Sequence, residues 1–336
     1  MKKSLLALAV LGAFAGVASA QTSVTIYGSF DAGVRNLSNT NAGGESRLTM
    51  GSAGTYNSNR IGFRGVEDLG GGMNARFVLE NGFNSGTGAM AGDLFGRSAY
   101  VGVGGAWGAI DLGRQYTVAF KTIGAYDPFA YKYTGIAPAV LAAAGVRYSN
   151  DIQYTSAFSK AITVRAEYAL GEVAGNTSTG SAHALGVSYN DGTLALGTAF
   201  TKRNIAGRDN NHYTVGGAYK FGAAKLFAAY TQEKQATVSV PSYTKFAWAG
   251  IAYDITPQIQ ATYAYYQTKV EAGLLGGANG KKDLNMIGAT YALSKRTNFY
   301  AEMDLAKMSG VLRVAPASLT PQNEQTGVSI GLNHLF

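Results

Sequence analysis

Apolar and polar residues alternate along this chain with a period of two, in segments of about ten residues that recur from end to end. In ITVRAEYAL, Ile162, Val164, Ala166, Tyr168 and Leu170 share one face, and Thr163, Arg165, Glu167 and Ala169 share the other. IQATYAYYQ sets Ile259, Ala261, Tyr263 and Tyr265 against Gln260, Thr262, Ala264 and Tyr266. NFYAEMDLA sets Phe299, Ala301, Met303 and Leu305 against Tyr300, Glu302, Asp304 and Ala306. Successive side chains of a strand point to opposite faces, so the alternation predicts two-faced β-strands. Sixteen are predicted, near 24–35, 59–68, 74–83, 97–104, 109–117, 146–156, 161–171, 181–190, 193–203, 212–221, 225–234, 243–255, 258–270, 282–293, 298–308 and 325–336.

Tilted strands of this length cross a hydrocarbon layer. Short connections carry turn chemistry, as in Asp68-Leu69-Gly70, Asn190-Asp191-Gly192, Thr256-Pro257 and Ser294-Lys295-Arg296. Longer ones, such as 36–58, 172–180, 271–281 and 309–324, are polar or glycine-rich. Cost decides the orientation of the faces. A charge at the lipid-facing midplane costs about 2–4 kcal/mol for Arg and less for Glu. The face carrying Arg165, Glu167, Glu302 and Asp304 is therefore the inner one. These features predict an all-β protein, a 16-stranded antiparallel transmembrane β-barrel with short periplasmic turns and long external loops. An even strand count lets the first and last strands pair and leaves no open edge. The alternative without a pore is a secreted β-rich adhesin, a sandwich or solenoid. It would have to bury those four charges in a dry core.

Both ends agree with export. Lys2 and Lys3, the apolar stretch Leu5 to Val17 and Ala18-Ser19-Ala20 have the layout of a cleaved signal peptide over 1–20. One barrel domain is expected over 21–336. The closing GLNHLF puts Val328, Ile330, Leu332 and Phe336 on one face and Ser329, Gly331 and Asn333 on the other. An exported amphipathic strand with a terminal aromatic suggests a bacterial outer-membrane barrel.

Only 14% of residues are charged, against about a quarter in ordinary globular proteins, and glycine (45) far exceeds proline (6). Without Lys2 and Lys3, the 28 basic residues become 26 against 20 acidic ones. They are spread singly rather than clustered with aromatic platforms, so no nucleic-acid partner is expected. The chain has no cysteine, and His183, His212 and His334 stand apart, so no metal or other cofactor is expected. Gly102-Val103-Gly104-Gly105 lies in a strand and turn, not ahead of a helix, and no G-x-S-x-G elbow occurs. No enzymatic activity is expected.

SVTIYGSFDAGV, NRIGFRGVEDLGGGMNARFVLE, GRSAYVGVGGAWGAIDLGRQYT, YALSKRTNFYAEMDLAK and GVSIGLNHLF together span the mature chain. They resemble the general porins of Gram-negative bacteria, above all the β-proteobacterial branch. The resemblance implies a homotrimer of barrels in outer-membrane lipid and lipopolysaccharide. Each would hold a water-filled pore narrowed by an inward-folded third loop. It also implies a C-terminal strand ending in Phe336 that the barrel-assembly machinery reads.

The third long connection, from about Val118 to Gly145, carries Phe120, Ile123, Tyr126, Phe129, Tyr131, Tyr133 and Ile136. So long and apolar a loop is expected to have a function, and to fold into the lumen with its apolar side on the wall. The family's Pro-acid-Phe tip is matched by Asp127-Pro128-Phe129, in a different order. Across the pore, the resemblance implies arginines from three strands, at Arg60, Arg97 and Arg147. Arg64 shares the face of Arg60, and Arg114 and Arg76 are further candidates. Fixed cations facing fewer acids imply a weakly anion-selective diffusion channel for small hydrophilic solutes. A substrate-selective porin using tyrosines as a sugar slide is the other pore-forming alternative. It fits less well, because most tyrosines fall on lipid-facing stripes or strand ends.

Overall fold

A computed structural model of the chain describes residues 23–51, 56–133, 145–157, 159–236, 241–271, 279–315, 318 and 320–336. The leader expected over 1–20 and Ile136 of the third connection lie outside them. The first strands are β1 (Ser23–Leu37), β2 (Arg47–Gly51), β3 (Arg60–Gly70), β4 (Met73–Gly82), β5 (Ser98–Gly105) and β6 (Gly108–Tyr116). A short helix, α1 (Val118–Ile123), precedes β7 (Arg147–Ser156), β8 (Ile162–Ala169), β9 (Ala182–Asn190), β10 (Leu194–Ile205) and β11 (Arg208–Phe221). The rest are β12 (Ala224–Gln235), β13 (Ser242–Asp254), β14 (Ile259–Glu271), β15 (Gly280–Ala292), β16 (Thr297–Gly310) and β17 (Glu324–Leu335).

Neighbouring strands pair in one closed antiparallel ring of sixteen, with β2 as an extra short strand. Closure is made by β1 against β17, from Ser29↔Leu335 to Leu37↔Gly327. Gly28 and Phe336 exchange two further backbone bonds, of 3.0 and 3.2 Å. Gly28 has no side chain to obstruct the Phe336 ring, which lies where a Cβ would stand, 2.3 Å away.

The faces are those the charges require. Glu167, Glu302 and Asp304 are buried inside, while Met303 and Leu305, between and beside them on β16, are over 40% exposed outside. The inner charges pair: Arg35 of β1 sits 3.1 Å from Glu302 and 2.6 Å from Asp304. A wet lumen with partners at hand tolerates ions that a dry core would not.

Three details depart from the alternation. The connection expected over 36–58 contains β2, because Arg47–Gly51 turns back on the upper half of β1 (Gly33↔Gly51 to Leu37↔Arg47). The external connection of β10 and β11 is only Ala206-Gly207, so those strands outrun their predicted lengths. The third connection, expected as loop throughout, begins with α1.

β1 pairs with β3 only in its lower half, from Ser23↔Val66 to Ser29↔Arg60. Between the β3 and β2 pairings the backbone of Asp31 has a strand beside it only on the β17 edge, where it faces Asn333. The Asn59 side chain stands in: its Oδ1 accepts from Asp31 N and its Nδ2 donates to Asp31 O at 3.0 Å. A carboxamide carries a donor and an acceptor spaced like those of a peptide group, so one side chain satisfies both. Asn59→Ala would leave two buried backbone groups unpaired, at a cost of about 1–3 kcal/mol. Urea unfolding in lipid vesicles should show that loss, with Asn59→Gln less costly than Asn59→Ala.

Candidate functional site

Thr117, at the end of β6, starts the inward turn. Its Oγ1 accepts from Phe120 N at 3.2 Å, and Glu167 Oε2 accepts from Val118 N at 3.0 Å. Two amides that a helix start leaves unpaired are thereby satisfied. From there residues 118–129 cross the lumen on a track of glycines, one each from β9, β10, β11, β13 and β15. A Cβ at Gly186, Gly197, Gly216, Gly250 or Gly288 would meet Val118, Thr122, Tyr126, Pro128 or Phe129 at 2.5–3.1 Å. The wall is bare where the loop lies on it.

Large side chains fix the loop there. Ile123, Tyr126 and Phe129 are buried in one cluster with Phe227, Phe246, Trp248, Tyr266 and Met286. Trp248 Nε1 donates to Tyr126 O at 3.1 Å, and the Tyr126 hydroxyl is 2.7 Å from Thr214 Oγ1. Burying side chains of this size contributes about 1.5–3 kcal/mol each.

Across the lumen, Glu80 of β4 and Tyr116 of β6 gather cations from three places. Arg97, just before β5, donates from Nε to Glu80 Oε1 and from an Nη to the Tyr116 hydroxyl, both at 2.7 Å. Arg60 of β3 lies 3.7 Å from Glu80 Oε2, and Tyr27 donates its hydroxyl to the same oxygen at 3.0 Å. Arg147 of β7 donates to the Tyr116 hydroxyl at 2.8 Å, and its guanidinium lies 4.3 Å from the centre of that ring. The stack continues from Tyr116 to Phe120 (4.7 Å) and Tyr131 (4.0 Å) of the loop. Arg147 has no carboxylate partner among the described residues. These groups line a cavity of about 910 Å³ that runs down to Lys295 and Arg296 at the periplasmic mouth.

A model of the Gram-negative porin family matches residues 7–310. The chain belongs to the Gram-negative porins. An outer membrane porin protein of Bordetella pertussis is 32% identical over 394 residues, covering 100% of both chains. Outer membrane porin protein 32 of Delftia acidovorans is 32% identical over 368 residues, again covering 100% of both. A solved anion-selective porin from Comamonas acidovorans superposes with a TM-score of 0.81 at 25% identity, over 94% of this chain and 100% of that one. This porin is accordingly an outer-membrane barrel and not an enzyme.

Of the residues expected at the constriction, Arg60, Arg97 and Arg147 come together in the cavity; Arg64, Arg76 and Arg114 do not line it. Arg64 and Arg76 lie four residues from Arg60 and Glu80 respectively along their strands. At about 3.3 Å per residue that is some 13 Å towards the periplasm. Arg64 rests over the Tyr27 ring, and Arg76 forms a fork with Asp111 at 2.8 and 2.6 Å. A bulge between Gly113 and Gln115 breaks the parity at Arg114. Its side chain bonds Gly96 O at 2.7 Å and Ser149 Oγ at 2.8 Å.

The loop itself presents Ala130 to Tyr133 to the large cavity, not Asp127, Pro128 and Phe129. Asp127 is turned into the wall, where Tyr266 donates its hydroxyl at 2.7 Å and Tyr131 its amide at 2.6 Å. The aromatic anchors on either side, Tyr126 and Phe129, hold that stretch of loop against the strands. Glu80, Tyr116, Tyr56 and Lys132 were not anticipated. Parity could have found Glu80, which shares a face with Arg76.

Gly216→Leu should expel the loop from its track, raising single-channel conductance and reducing selectivity in planar bilayers. Burial pushes the Asp127 carboxyl up to about 6, and its three hydrogen bonds only partly oppose this. A carboxyl with a raised folded value favours the docked loop most at low pH and loses that contribution as pH rises through about 6. Current noise from loop motion should therefore increase between about pH 4 and 6 and level off above that, and Asp127→Asn should abolish the dependence.

Proposed function

We propose that this porin is a water-filled general diffusion channel for small hydrophilic solutes, weakly selective for anions. One observation carries the reading: Arg60, Arg97, Lys132 and Arg147 line a single cavity in which Glu80 is the one carboxylate among the described residues. Unit charges about 8 Å apart interact by about 0.5 kcal/mol in water and about 2 kcal/mol at an effective dielectric of 20. A preference of that size biases ion flux without building a saturable site. The structural neighbour from Comamonas acidovorans is an anion-selective porin, which supports the same sign.

The sugar-slide alternative is not favoured. Tyr56, Tyr116, Tyr131 and Tyr133 do face the cavity, but their rings are packed, face-on or edge-on, against one another or against Phe120 and Tyr300. Others, including Tyr213, Tyr219, Tyr253 and Tyr291, are exposed on the outer face as an interfacial girdle would be. The reading includes cleavage of residues 1–20, a homotrimer in lipopolysaccharide-bearing outer membrane, and recognition of the strand ending at Phe336 by the assembly machinery. An outer membrane protein of Vibrio cholerae in a trimer form shares the fold, with a TM-score of 0.71.

Reversal potentials in a potassium chloride gradient across a planar bilayer test the reading. Anion preference is expected in the wild type, fading as salt screens the arginines. Arg60→Ala, Arg97→Ala and Arg147→Ala should each move the potential towards cation preference. Arg147→Ala should have the largest effect, because no carboxylate offsets that charge. A cation-selective wild-type channel would refute the proposal.

A further inference from the structure

We propose that Lys132, on the inward loop, is a specificity-determining residue of the channel, and that Tyr56 is the residue that positions it. This rests on the anion-selective reading above and adds a second, separately built source of positive charge. The arginines are carried by the barrel wall and its rim. Lys132 is brought in by two connections that meet inside the lumen.

Tyr56 comes from the stretch between β2 and β3, which turns inward where β1 changes partners. The Asp31 carboxylate accepts the amides of Tyr56 at 3.2 Å and Asn57 at 2.9 Å, so the turn is tied to the wall. The Tyr56 ring stacks on Tyr300 of β16 at 4.6 Å and meets the edge of Tyr133 at 4.9 Å. Its carbonyl accepts from Tyr133 N at 2.8 Å. Its hydroxyl accepts from Lys132 Nζ at 2.6 Å, with the ammonium 4.5 Å from the ring centre.

The chemistry of that contact matters. Glu80 holds Arg97 by cancelling part of its charge; a neutral phenol holds Lys132 without cancelling any. The ammonium has three donors, and Tyr56 is its one hydrogen-bond acceptor among the described residues, with no carboxylate in the contact. Lys132 lines the same cavity as Arg60, Arg97 and Arg147. Its backbone setting is strained as well: Ala130, Tyr131 and Tyr133 have φ of 50°, 64° and 59°, a region that side-chain-bearing residues seldom adopt. The bonds from Tyr131 N to Asp127 and from Tyr133 N to Tyr56 hold this turn in place. Strain maintained by surrounding contacts is a mark of functional segments.

The test uses the full-length porin in planar bilayers with a potassium chloride gradient at about 0.1 M, where the screening length is about 10 Å. Lys132→Gln should lower the anion-to-cation permeability ratio about twofold, the size expected for one unit charge at about 8 Å in water screened by about 0.1 M salt. Lys132→Arg should restore it. Tyr56→Phe keeps the ring stack and removes the hydroxyl, so it should shift the ratio in the same direction by less. Lys132→Gln added to Tyr56→Phe should then have a smaller effect than on its own. Heat stability of the assembled protein, read by gel mobility, should stay at the wild-type value for both single variants. If Lys132→Gln leaves the potential unchanged while Arg147→Ala shifts it, the inference fails and the anion-selective reading stands. If the arginine variants also change nothing, both fail. Full additivity of the Tyr56 and Lys132 changes would overturn the positioning role.

Discussion

No water reaches the hydrocarbon layer, so every backbone amide and carbonyl at that depth needs a partner within the protein. The ring of sixteen paired strands follows from this, and so does the alternation written along them. Where β1 passes from β3 to β2, pairing would lapse beside Asp31, and the Asn59 carboxamide takes the place of a strand. The same lapse lets the chain turn inward at Tyr56, so a local solution to backbone pairing also shapes the pore.

Inside the ring the controlling quantity is charge in a confined wet space. Several lumen arginines are neutralised in place: Arg35 by Glu302 and Asp304, Arg76 by Asp111, Arg97 by Glu80. Other cations, Arg64, Lys132 and Arg147 among them, lie against aromatic rings. Tyr116 receives hydrogen bonds from two arginines, and both lie over its ring, Arg147 closer than Arg97. An aromatic partner fixes a guanidinium by its quadrupole and hydroxyl while leaving the net charge intact. The wall around Tyr116 thus holds its arginines in place without cancelling the charge of Arg147, two properties that a carboxylate partner would set against each other.

Much of this was legible in the residue order. Period-two alternation located the sixteen long strands, and the cost of a charge in lipid decided which face of Glu302 and Asp304 looked inward. Motif singled out Arg60, Arg97 and Arg147, with parity supporting Arg60, and the three line one cavity. What stayed hidden depends on strand stagger and on contacts between distant segments. Arg64 and Arg76 have the right parity but stand at the wrong height, and height is not written in alternation. Arg114 was displaced by a bulge that no local pattern announces. Asp127 looked like a pore-facing acid until Tyr266, 139 positions away, proved to hold it against the wall. Lys132 lay between two tyrosines with nothing local to distinguish it, because its partner Tyr56 is 76 positions earlier.

The seam between Gly28 and Phe336 bears on how such a molecule is made. It joins positions 308 apart in the chain, the longest-range backbone pairing described above. Ring closure over that span loses more chain entropy than any hairpin in the wall, although the loss grows only logarithmically with length. Hairpins such as β10–β11 can zip locally, but the ring is sealed only by uniting its two most distant strands. Until then both edges carry unpaired amides and carbonyls. An escort that covers those edges before lipid does would remove the largest kinetic hazard in building this barrel.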